Sequence, residues 1–225
     1  MTLREPILAT IKANIINAIR ENLIPGLILQ AFALSIVLAY FFYKPALPIF
    51  QFTAALKLEY STAYAIVATS LFGGFFPFCL LCLRNKIKKR VWAHLLFNLL
   101  FWAFMGWLVD SFYQFQAVLF GDGNDVATVV KKTLLDQFVF SVFITSPFVS
   151  AMYIWRATNF EWEASRAVLK RSYFRQNLPA TIFSTWIVWL PAVTLIYTMP
   201  PNLQLPLFNL VLFFFVLLLS ALNKD

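Results

Sequence analysis

Charge is scarce in this chain. Only 12% of its 225 residues are Asp, Glu, Lys or Arg, about half of what a soluble globular domain uses to wet its surface. Histidine occurs once and cysteine twice, which narrows the chemistry further. A structural metal site needs about four ligands, and Cys79 and Cys82 have no His, Asp or Glu beside them. Three positions apart on one helix, they are also poorly placed for a disulfide, so they read as buried apolar thiols. No metal and no other cofactor is expected. The chain lacks a glycine-rich phosphate loop, a G-x-S-x-G elbow and an H-E-x-x-H pair. With a single His and no close acidic pair, acid–base catalysis has no evident players, and no enzymatic activity is expected. The run Gly121-Asp122-Gly123-Asn124-Asp125 offers too few ligands, wrongly spaced, for a calcium loop, and reads as a turn.

What is abundant is apolar. Hydrophobic residues make up 61% of the chain and the mean hydropathy is +0.75. They gather into six segments, Leu23–Tyr43, Tyr60–Leu83, Val91–Tyr113, Gln137–Trp155, Leu178–Met199 and Leu203–Leu222. A helix rising about 1.5 Å per residue crosses a hydrocarbon core about 30 Å thick in about 20 residues. The expected fold is therefore all-α, a polytopic transmembrane bundle of about six spans. The polar stretches between them are too short to bury a core, so residues 1–225 form a single membrane domain.

The basic residues alternate in side along this ladder. Arg4, Lys12 and Arg20, the run Arg84, Lys86, Lys88, Lys89 and Arg90, then Arg156, Arg166, Lys170, Arg171, Arg175 and Lys224 fall on one side. Lys44, Lys57, Lys131 and Lys132 fall on the other. Short Lys/Arg-rich loops stay in cytoplasm-type compartments, so the first side, with both termini, is expected inside. The net charge of +8 then reads as topology and attraction to anionic lipid headgroups. Nucleic-acid binding is not expected, since no soluble module carries a basic face interleaved with stacking residues. No secretory signal is expected ahead of the first span. Residues 1–22 instead hold Ile7, Leu8, Ile11, Ile15 and Ile19 at helical spacing opposite Lys12, Asn17 and Arg20. That pattern predicts an amphipathic helix along the membrane interface.

Inside a bilayer, ionisable and polar residues are the first place to look for function. The third span carries His94 and Asn98 near one end and Asp110 and Gln114 near the other; Asp136 and Gln137 open the fourth. His94 and Asp110 point about 160° apart at about 100° per residue, so one helix alone lines no pore. A polar pathway would have to join Asp110 and Gln114, Asp136 with Gln137, Ser141 and Thr145, and Thr181, Ser184 and Thr185 from separate spans. The alternative for each carboxylate is an interfacial residue reaching water or a nearby lysine, Lys132 for Asp136. Ser70, Gly73 and Gly74, with Gly106 on the third span, are small residues that permit close helix approach. Pro77, Pro147 and Pro191 should bend their helices. Trp and Tyr cluster near the span ends, consistent with interfacial belts.

From Val91 onward the order of residues resembles the Mpv-type family, also called the twenty-two-kilodalton peroxisomal membrane protein family. Where that family has G-P-x-x-H-x-W-Y, this chain reads Gly106-Trp107-Leu108-Val109-Asp110-Ser111-Phe112-Tyr113. Asp110 stands in place of the His, and the proline is missing. The family's K-K-x-x-x-D-Q is intact as Lys131, Lys132, Asp136 and Gln137. Its L-R-R-D-Y resembles Leu169-Lys170-Arg171-Ser172-Tyr173, and its W-x-x-W-P resembles Trp186 to Trp189 with Pro191 shifted by one. Its closing segments look like Met199-Pro200, Gln204 (in place of an Arg), Asn209 and Leu219-Ser220. The resemblance covers about 130 residues, and leaves Leu23–Tyr43 as an additional span. It implies a small helical membrane protein, proposed in that family to form poorly selective metabolite channels of the mitochondrial inner or peroxisomal membrane. In a bacterium the corresponding place is the cytoplasmic membrane. A passive or gated pore for small solutes is the leading expectation. The alternative is a structural or accessory subunit of a larger membrane complex that transports nothing. The partners expected are the lipid bilayer and either a second copy of the chain or such a complex.

Overall fold

The computed structural model describes residues 4–222. Lys224 and the first three residues of the amphipathic segment lie outside the described residues, as do the side chains of Arg4, Ile7, Leu8, Arg171, Ser172, Arg175 and Ser220. Among the described residues every regular element is helical. The order is α1 (Arg4–Phe42), a short 3₁₀ turn (Lys44–Ala46), α2 (Leu47–Thr69), a π-helical segment (Ser70–Phe75), α3 (Phe76–Leu83) and α4 (Val91–Phe120). Then come α5 (Val126–Leu135), a second π-helical segment (Asp136–Thr145), α6 (Ser146–Ala157), α7 (Trp162–Val168), α8 (Arg171–Gln176), α9 (Leu178–Tyr197) and α10 (Pro201–Leu222). Six helical stretches are long and apolar enough to cross a membrane: Ala9–Phe42, Lys44–Leu83, Val91–Phe120, Val126–Ala157, Leu178–Tyr197 and Pro201–Leu219. The all-α polytopic architecture agrees with the sequence.

The helices run longer than the apolar segments suggested. The amphipathic N-terminal stretch is helical, but it is continuous with the first span in one helix of 39 residues. Residues 44–59, which lie between the first two apolar segments, are helical as well. Pro45 and Pro48 fall in the first turns of their elements. There the missing N–H costs nothing and the fixed φ favours a helix start. α4 extends to Phe120, and the fourth stretch begins at Val126 rather than Gln137. Asp125 starts it. Its carboxylate accepts the backbone N–H groups of Ala127 and Thr128 at 3.1 Å each, an N-terminal cap. A hydrogen bond from the Thr128 side chain, together with these backbone bonds, holds the Asp125 carboxyl below the usual carboxylate range.

Two of the three predicted bends take the form of widened turns. Each π segment ends one residue before the helix-initial pair Phe76-Pro77 or Ser146-Pro147. In both, an N–H just ahead of the proline bonds five residues back: Phe76 to the Leu71 carbonyl and Ser146 to the Ser141 carbonyl. A proline ring collides with the carbonyl four residues earlier in an α-helix. Widening the preceding turn removes that collision without breaking the rod. Pro191 instead sits within α9.

The chain divides into two compact units. The first comprises Met1–Ile28 and Thr133–Pro191, the second Leu29–Lys132 and Ala192–Asp225. In the first, the Trp186 ring packs against Phe138 and Phe183, and Asn22 of α1 donates to the Ser184 hydroxyl of α9. In the second, α4 buries Phe101, Trp102, Met105 and Val109. Their spacing of three and four is that of one helix face. That face packs on α2 and the first π segment, with α10 closing against both. Thr69 bridges α2 to Asn209 of α10 at 2.9 Å, and Ser70 donates to the Leu99 carbonyl of α4.

Glycine sets the approach of α4 in this second unit. A Cβ on Gly106 would run into the Ala65 carbonyl oxygen and the Thr69 side chain, and one on Gly74 would lie 2.6 Å from the Asn98 carbonyl oxygen. Gly73 lies against the Trp102 ring, 2.6 Å from where its Cβ would stand. At these three glycines the neighbouring elements leave no room for a Cβ. By contrast, a Cβ on Gly26 in the first unit would meet nothing closer than 3.5 Å. Gly106→Ala and Gly74→Ala should each destabilise the protein by about 1–3 kcal/mol, the usual cost of overpacking against backbone that cannot move aside. Gly26→Ala should be neutral or slightly stabilising. Thermal unfolding in detergent or nanodiscs reads the difference, and an unchanged midpoint for Gly106→Ala would contradict this packing.

Candidate functional site

In the second unit, α2 is broken at Ser61, whose backbone has φ 47° and ψ −123°. A non-glycine residue in this region costs about 1–3 kcal/mol and persists only where its surroundings hold it. The clamp is visible. One turn earlier Lys57 turns its ammonium back to donate to the Ser61 carbonyl at 3.0 Å. The same ammonium forms an ion pair with Asp110 of α4, Nζ to Oδ1, at 2.8 Å. Thr62, just past the break, donates to the other Asp110 oxygen at 2.9 Å. Gln114, one turn on from Asp110 in α4, donates to that oxygen at 2.8 Å. The Lys57 and Asp110 side chains are only 10% and 3% exposed.

Sequence supports this geometry locally. Asp110 and Gln114 are four apart on α4 and share a face, and Gly106, one turn before Asp110, lets α2 approach. Lys57 and Ser61 are likewise four apart. Both carboxylate oxygens are engaged, and the freed Ser61 carbonyl has a charged donor. An ion pair buried this far is held by its own geometry, since taking two charges out of water costs several kcal/mol per ion. Of the two partners expected for an isolated carboxylate, water or a nearby lysine, Asp110 has a lysine, Lys57, and it is buried. Lys57 had been counted only as a flanking charge. Its role was missed because it lies 53 positions from its partner and because the helix break that aims it back has no glycine or proline to mark it.

A second polar knot in the same unit was also missed. Gln116 is fully buried. It accepts the Tyr197 hydroxyl at 2.6 Å and donates to the Lys132 carbonyl at 2.8 Å. Near the other end of α4, Asn98 donates to the His94 carbonyl. The cleft between α1, α2 and α10 is apolar, lined by Ile36, Phe50, Met199 and Leu207 among others, and carries no charged group.

The remaining sequence candidates lie in the first unit. Asp136 and Gln137 are buried and joined, Gln137 donating to Asp136 at 2.9 Å. The Gln137 carbonyl accepts the Trp186 indole N–H at 2.8 Å. Ser141 is buried and Thr145 half-buried on the second π segment. On α9, Thr181 and Thr185 turn their hydroxyls back to the Asn177 and Thr181 carbonyls, and Ser184 accepts from Asn22. These three are spent within α1 and α9. Among the described residues no three His, Cys, Asp or Glu side chains gather to hold a metal ion. Cys79 and Cys82 are free thiols, half-buried rather than buried.

Removing either partner of the Lys57–Asp110 pair strands a charge in the bundle. Asp110→Leu and Lys57→Met should each lower stability by about 3–5 kcal/mol. Gln114→Leu, which removes one of three hydrogen-bonding partners and leaves the pair intact, should cost about 1 kcal/mol. Denaturation of the purified protein in a fixed detergent measures the order, and a Gln114 variant as damaged as the Asp110 variant would contradict it. The chain was compared with family models, with curated proteins and with solved structures, and none of the three gave a match.

Proposed function

We propose that this chain, whose six long apolar helices are those of an integral membrane protein, is a passive or gated pore for small solutes, as its resemblance to the Mpv-type family implies. The observation that carries the reading is the buried Lys57–Asp110 pair beside the broken residue Ser61. Intramembrane charges are retained at a cost of several kcal/mol, and broken helices in membrane proteins frame sites where backbone groups meet a pathway. A closed pair cancels its own field. A displaced pair presents one cation and one anion, which suits weak selectivity among small neutral or zwitterionic solutes. The positive-inside pattern would put this pair toward the outer face, with the Arg84–Arg90 loop inside. The membrane would be the mitochondrial inner or peroxisomal one in a eukaryote and the cytoplasmic one in a bacterium.

One feature supports the alternative of a non-conducting accessory subunit. Both Asp110 oxygens are already engaged, as in a structural lock. In that reading the outward apolar faces meet a larger membrane complex as well as lipid.

Flux from proteoliposomes decides between the two. The wild-type protein should release small neutral solutes from loaded vesicles. Asp110→Asn, which leaves the Lys57 charge uncompensated, should shift any residual charge preference toward anions, and Lys57→Gln should shift it toward cations. A folded wild-type protein that releases nothing would remove the pore and leave the accessory subunit.

A further inference from the structure

The second π segment carries polar groups that the protein itself does not satisfy. Gln137, Ser141 and Ser146 are 2%, 3% and 5% exposed. The Gln137 Oε1 and the Oγ atoms of Ser141 and Ser146 are buried with no protein hydrogen-bond partner. Other serines and threonines of this chain's helices bond across to a neighbouring helix, as Thr62, Thr69 and Ser70 do, or return their hydroxyl to a carbonyl three or four residues back. Thr53 bonds to Ile49, Thr158 to Ile154, Thr181 to Asn177 and Ser35 to Phe32. That local bond is the default for a hydroxyl in an apolar helix. Ser141 and Ser146 do not make it, and Gln137 spends only its amide N–H on Asp136.

The winding explains why these three belong together. Residues Asp136–Thr145 are π-helical, turning roughly 80° per residue instead of about 100°. Over the nine steps from Gln137 to Ser146 the difference is decisive. At α winding Ser146 would point about 180° from Gln137; at π winding Gln137, Ser141 and Ser146 fall within an arc of about 50°. The turn widened to admit Pro147 thus lines up three unsatisfied polar atoms in one stripe, at most about 14 Å long by the helical rise, with Asp136 beside one end. Left dry, each such atom costs about 1–3 kcal/mol, a large toll for a fold whose whole stability is about 5–15 kcal/mol.

We propose that this stripe is one wall of a hydrated seam. A short file of water, each molecule bonding to a hydroxyl or the Gln137 carbonyl oxygen, enters the membrane-spanning part of the first unit along the second π segment. Water is the occupant the chemistry fits, because the three atoms offer two hydroxyls and an amide oxygen and no fixed charge. The seam requires the membrane placement of the chain but not conduction.

Substituted-cysteine labelling tests it in intact proteoliposomes, in a background carrying Cys79→Ala and Cys82→Ala. The probe is a small, water-soluble, cationic methanethiosulfonate, which reacts with the thiolate and so only with a hydrated thiol. Ser141→Cys and Ser146→Cys should label at least about tenfold faster than Phe143→Cys and Ile144→Cys, whose native side chains face outward on the same segment. Equal, slow labelling at all four positions would overturn the seam. Should a cysteine variant fail to fold, the sign of a second measurement decides. Ser141→Ala and Ser146→Ala remove a hydroxyl with little change in volume. They lower the melting temperature if the hydroxyl holds water and raise it if it is buried dry, and a rise in both would also overturn the proposal. Labelling is read without flux. A conducting protein with an unlabelled stripe therefore loses the seam and keeps the pore, and a labelled stripe in a protein that conducts nothing does the reverse.

Discussion

Hydrocarbon gives polar groups no partner, so whatever a membrane bundle buries it must satisfy from within. In this chain the most demanding case is the ammonium of Lys57. It reaches the Ser61 carbonyl and the Asp110 carboxylate together, and this one group links the path of α2, the register of α4 and the close approach at Gly106. Without Lys57 the break at Ser61 would leave a carbonyl exposed to lipid or protein. Without the break, Lys57 and Thr62 would not both face Asp110 from the two sides of the same turn. The other cross-helix bonds of this unit, Thr69 to Asn209 and Tyr197 to Gln116, hold a packing that this clamp and the glycines bring together.

Proline shapes the chain by a gentler means. Pro77 and Pro147 each stand just after a widened turn, so the helix passes the missing N–H with its axis uninterrupted. The consequence is rotational. Side chains beyond a π segment face directions that α periodicity does not predict, and polar groups such as Ser146 join stripes from which an α-helix would exclude them.

This explains what was legible in the sequence and what was not. Six apolar helices and an all-α bundle follow from hydropathy, a property that acts over one or two turns. Asp110, Gln114, Asp136 and Gln137 were recognisable as polar residues in apolar surroundings, and the structure does join Asp110 to Gln114 and Asp136 to Gln137. The partner of Asp110 was not recognisable. Lys57 looked like a flanking charge because the break at Ser61, a serine among ordinary helix formers, has no mark in the local sequence. Gln116 escaped notice for a related reason. Its partners, Tyr197 and the Lys132 carbonyl, become neighbours only through the tertiary fold. The helices also ran past their apolar segments, because capping by Asp125 and the prolines at helix starts set those ends rather than hydropathy.

Lys57 and Asp110 act as one unit, on which the packing of the second unit depends. A double-mutant cycle on unfolding in lipid nanodiscs tests it most directly. Each single variant, Lys57→Met or Asp110→Leu, leaves a buried charge alone, whereas the double variant leaves none. Lys57→Met/Asp110→Leu should be more stable than either single variant, so the coupling should be at least as large as a single loss, about 3–5 kcal/mol. Strictly additive losses, with the double variant the least stable of the three, would contradict it.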